Sequence, residues 1–253
     1  MLRALGGGTL FGSVVGDGPP RVLLLHGWRR TLADFAAVQD QLSGRGLASA
    51  AIDLPGFGAT PPPEHAGGAR HYATLIRPAL DELAAAGPVI LVGHSFGGRV
   101  ATVLAARHPG VVAGVVVTGA PLVRLAPATR PQRGYRAVRW LHRHGLVSAE
   151  RLESARHRYG SDDYRAASGV VRDVLVVTVS ESYEDEIDEL TAPLSLVWGE
   201  NDSVVPLAVA EAVADRRRRR GGVVTLDVVL GADHFVPLRA PERLVEAVAG
   251  MVR

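Results

Sequence analysis

The sequence predicts an α/β fold on a mostly parallel, doubly wound sheet with helices on both faces, and three observations carry that prediction. Short β-branched runs alternate with longer Ala/Leu-rich segments along most of the chain. Most of those runs are apolar at consecutive rather than alternate positions, which is the pattern of strands covered on both sides. The third observation is a single segment, VILVGHSFGGRV from Val89 to Val100. There an apolar strand ends on a serine fenced by glycines and passes at once into a helical stretch.

In chain order, LRAL and TLFGSVV around a glycine turn suit an antiparallel edge pair within the first fifteen residues. Strand-like runs follow at 21–27, 48–56, 88–94, 112–119, 193–200 and 223–231. Helical candidates between them are 31–43, 71–86, 97–108, 206–219 and 240–252. The rhythm breaks from Leu122 to Leu190, where helices are predicted over 130–145, closed by Gly145, and over 148–160, opened by Ser148 and closed by Gly160. Segment 170–180 has the β-branched content of a strand, but Val171, Val174, Leu175 and Thr178 share one helical face, and it is read as a helix. An insertion this long is no structureless loop. It reads as a helical cap, 122–190, over a core made of 1–121 and 191–253.

Composition narrows the classes. An apolar fraction of 47% against 21% charged residues supplies a sizeable core and argues against disorder. The 28 basic residues are all arginine and nearly balance 26 acidic ones, leaving +2. Arginine used so exclusively reads as compositional bias and not as a nucleic-acid footprint. With no cysteine, disulfides, thiolate metal sites and a cysteine nucleophile are excluded. The N-terminus is a poor signal peptide, one arginine followed by an apolar run that three glycines break. VVAGVVVTGAPLV is too short to span a bilayer. The expectation is a cytoplasmic monomer or homodimer acting on a small acyl compound, with no nucleic-acid or membrane partner and no metal or organic cofactor.

Ligands of open α/β sheets bind beyond the carboxyl ends of the strands. Ser95 falls at such an end, and Gly93 and Gly97 allow the close-packed turn that lifts it. The Phe96 amide then lies at a helix N-terminus, aimed at whatever bonds to Ser95. This is a Gly-x-Ser-x-Gly nucleophile elbow in its strand–turn–helix context. A serine hydroxyl needs a base, and the base needs an orienting carboxylate. Asp202 follows the strand PLSLVWGE and His234 follows VVTLDVVLG, each in the loop past a strand and in the order Ser, Asp, His. Taken singly, Asp202 is an ordinary Asx-turn residue and His234 a loop histidine; with Ser95 they form a candidate triad. Carbonyl chemistry also wants a second oxyanion donor, which the Trp28 amide after His26-Gly27 is placed to supply.

With HGW at 26–28, DLPGFGAT at 53–60, GHSFGG at 93–98, WGENDSVVP at 198–206 and GADHFVPL at 231–238, the chain resembles the α/β-hydrolase superfamily over nearly its whole length. The resemblance implies Ser95 as nucleophile, Asp202 as acid, His234 as base, and the amides of Trp28 and Phe96 as the oxyanion hole. It also implies that 122–190 is the cap inserted after the sixth strand. Dehalogenases and epoxide hydrolases of this superfamily use an aspartate nucleophile, so Ser95 argues against both. HGWRRT with a short cap is similar to carboxylesterase-type members. C–C bond hydrolysis, lactone or thioester cleavage and perhydrolysis stay open, as does a ligand-binding receptor with slow turnover.

Two charge features stand out. Eleven arginines lie between Arg124 and Arg172 against four acidic residues, and six acidic residues follow at 181–190. The first block is either an electropositive lid that favours acidic substrates or the partner of the second. The run at 216–220 reads as a solvated face at a helix C-terminus. His142, His144 and His157 read as surface residues and His94 as packing or hydrogen-bonding under the elbow. Tyr135, Trp140, Tyr159 and Tyr164 suit a pocket lining or contacts within the cap.

Overall fold

The computed structural model describes residues 2–125, 133–159 and 162–252. The helix stop expected at Gly160 and the side chains of His157 and Tyr159 lie outside the described residues. Eight strands form one sheet: β1 (Leu2–Leu5), β2 (Leu10–Val15), β3 (Val22–Leu25), β4 (Ser49–Ile52), β5 (Val89–His94), β6 (Val112–Thr118), β7 (Leu194–Gly199) and β8 (Val224–Val229). Their order is β1-β2-β4-β3-β5-β6-β7-β8. β1 and β2 pair antiparallel and β2 meets β4 antiparallel, while every pairing from β4 to β8 is parallel. The edge hairpin and the parallel core thus both follow the expected pattern.

Consecutive apolar residues are needed because both faces are covered. In β3, Leu23 and Leu25 pack into one core, while Val22 and Leu24 pack into a second core on the opposite face. The first core is closed by α2 (Ala69–Ala84), α3 (Phe96–Arg107) and α9 (Leu207–Arg219), through residues such as Ile76, Leu104 and Val213. The second is closed by α1 (Ala36–Gly44) and α11 (Pro241–Ala249), through Val38, Leu42, Leu244 and Val248. The sheet is therefore wound on both sides. The chain leaves β3 outward to β4 and returns to β5 on the other flank of β3, so the topological switch lies between β3 and β5.

Between β6 and β7 the described elements are all helical: α4 (Arg133–Arg143), α5 (Ala149–Tyr159), α6 (Asp162–Ala166), α7 (Gly169–Thr178) and α8 (Glu184–Glu189). Segment 170–180 is helical in α7, with Val174 and Thr178 buried. Three boundaries differ from the sequence reading. The run at 48–56 stops being a strand after Ile52, because the Asp53 carboxylate takes the N–H groups of Leu32 and Ala59 and turns the chain. Helix 31–43 opens with a 3-10 turn, Leu32–Phe35. Helix 240–252 is α11, which Pro241 starts, and a short separate helix, α10 (Val236–Arg239), precedes it where none was expected. Among the described residues no helix is long and apolar enough to cross a membrane.

Candidate active site

The loops at the carboxyl ends of β3, β5, β7 and β8 carry the residues singled out by sequence. β5 ends in Gly93-His94 and Ser95 follows with φ 50°, one of two non-glycine residues with positive φ among the described residues. That conformation is strained for a residue with a Cβ and persists only because its surroundings fix it. A Cβ on Gly97 would lie 2.1 Å from the Leu25 carbonyl oxygen, and one on Gly93 would lie 2.5 Å from the Gly97 oxygen. The helix start thus presses against the end of β3, and the Gly97 N–H donates to the His26 oxygen at 3.1 Å. Ser95 itself is half-buried.

The loop after β3 runs against the same serine. A Cβ on Gly27 would stand 3.4 Å from the Ser95 Cβ, and the Trp28 and Phe96 rings meet edge-on at 5.5 Å. Among the described residues the backbone N–H groups of Trp28 and Phe96 have no acceptor. Two free donors beside a half-buried serine fit an oxygen that is gaining charge. The loop is braced from below. His26 is buried, its Nδ1–H donates to the Gly27 oxygen and its Nε2 accepts the Leu54 N–H, and burial lowers its pKa. Arg30 grips Asp34 through two 2.6 Å hydrogen bonds and lies 5.3 Å above the Phe235 ring, tying this loop to the one that carries His234.

Asp202 and His234, thirty-two residues apart, meet. His234 Nδ1 donates to Asp202 Oδ2 at 2.8 Å, and both side chains are buried. The other oxygen, Oδ1, accepts the N–H groups of Val204 and Val205 at 2.9 and 2.7 Å. Asp202 thus closes an Asx turn with one oxygen and holds the imidazole with the other. Ser95 reaches the same rim because its N–H donates to Thr118 O at 2.9 Å, and the next residue, Gly119, abuts the imidazole. A Cβ there would lie 2.8 Å from His234 Cε1. Among the described residues no hydrogen bond joins Ser95 Oγ to His234. Such bonds commonly tighten only when substrate is bound.

Sequence reasoning gave His94 a packing or hydrogen-bonding role, and its ring bonds to the loop that carries His234. His94 is 1% exposed, its Nε2 donates to the His234 carbonyl oxygen at 3.0 Å, and the two rings are 4.8 Å apart. That leaves Nδ1 as a buried atom with no partner. Burial, helped by the neighbouring imidazole, pushes His94 down to about 3. A histidine depressed from its unfolded value of about 6.5 adds stability that is complete above pH ~6.5 and is lost as pH falls toward ~3. His94→Gln, which keeps an N–H donor, should therefore flatten the acid side of the stability curve by about 1.4 kcal/mol per pH unit. Urea unfolding of both proteins at pH 7 and pH 5 reads this, and parallel curves would contradict it. No contact in the sequence flagged the pairing, because its partners are 140 residues apart.

Two of the remaining candidates make contacts within the insertion. His142 Nδ1 bonds to the Val147 oxygen, and Tyr164 donates to Glu153 at 2.6 Å. Among the described residues no group of three or more His, Cys, Asp or Glu side chains is arranged to hold a metal. The arginine run does not form a wholly solvated face. Arg217 is buried and donates to the Leu190 oxygen at 2.5 Å, while Arg216 and Arg220 both bind Asp188 at 2.7 Å. These arginines satisfy the carbonyls and carboxylate at the end of α8.

Residues 22–247 match the alpha/beta hydrolase family. The chain belongs to that family. This alpha/beta hydrolase is 27% identical to the esterase Rv0045c of Mycobacterium tuberculosis, over 94% of this chain and 84% of that one. It is 30% identical to the pyrethroid hydrolase of Sphingobium wenxiniae, over 90% and 86% of the two chains. Among solved structures it superposes on a thermophilic esterase from Thermogutta terrifontis with TM-score 0.69, at 20% identity, covering 100% of this chain and 98% of that one. At that identity the superposition speaks for the fold alone.

Proposed function

We propose that this alpha/beta hydrolase is a serine hydrolase cleaving a small-to-medium carboxylic ester through an acyl-enzyme. The observation that carries the reading is the buried 2.8 Å Asp202–His234 hydrogen bond on the rim where Ser95 is held at φ 50°. With Nδ1 donating to Asp202, the His234 Nε2 lone pair is left to take the Ser95 proton. Ser95 Oγ attacks the ester carbonyl, and the oxygen that gains charge is received by the N–H groups of Trp28 and Phe96. The tetrahedral adduct collapses as His234 returns the proton to the departing alkoxide, leaving Ser95 acylated. Water then attacks the acyl group by the same route and frees the acid. Asp202 holds the imidazole in this tautomer and stabilises its charged form without itself being protonated. The esterase among its relatives supports an ester as the bond attacked.

In this reading the helical segment 122–190 is a cap over the rim. Its α7 reaches the core through Arg99, whose Nη1 donates to the Thr178 oxygen at 3.1 Å. A fluorophosphonate probe tests the assignment. The folded protein should gain the mass of one phosphonyl group, mapped to the peptide containing Ser95, with ester turnover lost in step. Absence of labelling in a folded sample would favour a ligand-binding protein on the same fold.

A further inference from the structure

The fate of the acidic block 181–190 decides how the arginines of the helical insertion are used. Glu186 is taken by Arg70 of α2 at 2.5 Å, and Asp188 by Arg216 and Arg220 of α9. Glu181 receives the Ala69 N–H and the Tyr183 hydroxyl, and Glu184 the Arg124 N–H. Farther back in the insertion, Glu153 lies against Arg156 and Arg172, and Asp163 against Arg29. These carboxylates are engaged, and none of them reaches α4. Among the described residues Arg136, Arg139 and Arg143 have no carboxylate partner. The sequence holds no acidic residue at all from 125 to 149.

The spacing of these arginines gives them a common face. Positions 136, 139, 140 and 143 stand at i, i+3, i+4 and i+7, which on an α-helix is one stripe, and all four are exposed. The other side of α4, with Tyr135, Val138 and Leu141, is half-buried, and α5 alongside buries Leu152 and Ala155. Three like charges so close together repel one another along the helix. In their midst Trp140 is 52% exposed, its ring 4.5 Å from His144, and Leu146 just past the helix is 62% exposed. Arg136, Arg139 and Arg143 also line, with Arg156, a basin of about 740 Å³ between α4 and α5.

We propose that this stripe of α4, Arg136–Arg139–Trp140–Arg143, is a docking surface for an anionic phospholipid bilayer. An indole among guanidiniums on one side of a helix is the composition that lies in a membrane interface: the ring enters the headgroup layer and the arginines meet the phosphates. The concave basin seats a headgroup phosphate between guanidiniums, and the anionic surface relieves the repulsion along the stripe. The contact is peripheral and needs no spanning helix. It goes beyond the proposed esterase reading and does not depend on it.

The test is flotation of the intact protein with vesicles of phosphatidylcholine alone, and of phosphatidylcholine containing about one third phosphatidylglycerol. Binding is expected to the second only, and to be released by salt. The triple substitution Arg136→Gln, Arg139→Gln, Arg143→Gln should weaken it by on the order of 100-fold. Its thermal midpoint and its rate on a water-soluble ester should stay those of the parent. Quenching of tryptophan emission by brominated phosphatidylglycerol should disappear in Trp140→Phe. Equal binding to both vesicle types, no binding, or undiminished binding by the triple variant would overturn the proposal. Retention on polyglutamate without flotation would overturn it too, assigning the face to an acidic protein. Flotation is read without catalysis, so a failure of the esterase reading leaves this result standing.

Discussion

Ser95→Ala is expected to lower kcat for ester hydrolysis by about a millionfold, leaving only the residual rate that oxyanion donors and binding supply. The loss is chemical because the substitution removes one oxygen from a half-buried position and leaves the backbone problem unchanged. Alanine and serine both carry a Cβ, so the strain at φ 50° is common to the two proteins. The elbow contacts, Ser95 N–H to Thr118 O and Gly97 N–H to His26 O, involve only main-chain atoms and remain. Stability should therefore change by less than ~0.5 kcal/mol, as for other substitutions that disturb no packing. Steady-state kinetics on a chromogenic ester, with thermal midpoints of both proteins, check the two halves together. A variant that turns over at the parent rate removes Ser95 from the chemistry.

Asp202→Asn carries the second large effect, about ten-thousandfold in kcat. The surroundings of Asp202 determine which way the new amide must face. Its Oδ1 position receives two N–H groups, from Val204 and Val205, so the amide oxygen has to sit there; an NH2 group would oppose two donors. The NH2 is then turned toward His234 Nδ1, which must become an acceptor. The imidazole proton moves to Nε2, and the nitrogen facing the substrate can no longer take a proton from Ser95. The fold survives because the turn past β7 keeps both of its hydrogen bonds. Nδ1 and Nε2 proton resonances of a ¹⁵N-histidine sample would report the tautomer beside the kinetics. A variant with the parent tautomer and the parent rate would contradict this account.

The parallel sheet explains why so much of the rim was legible in the sequence. Once consecutive apolar runs identify strands buried on both faces, parallel pairing sends all their carboxyl ends to one edge. Residues as distant as Trp28, Ser95, Asp202 and His234 then share a neighbourhood because each follows a strand. Local chemistry supplied the rest: glycines where a Cβ on the elbow would fall within about 2.5 Å of other backbone, and Asp202 where a loop needed an acceptor. Contacts decided by packing were not legible. The His94 hydrogen bond to the His234 oxygen joins side chain to main chain and leaves no residue pattern. Likewise, two charge blocks adjacent in sequence suggested mutual pairing. In space, α2 and α9 bring Arg70, Arg216 and Arg220 to the acidic residues first.

Strand β8 is the outermost of the sheet on its side and the last made, and it hydrogen-bonds to β7 alone. The imidazole rides on the loop that follows it, whereas the serine elbow is anchored between β3 and β6 in the middle. On the proposed mechanism, a polypeptide leaving the ribosome carries its Ser95 hydroxyl long before the imidazole that would deprotonate it, and would stay chemically mute until β8 and the loop after it dock. Recovery of turnover after dilution from denaturant should accordingly trail the return of helical circular dichroism. Limited fraying at that margin would silence the protein while most of its interior stays intact.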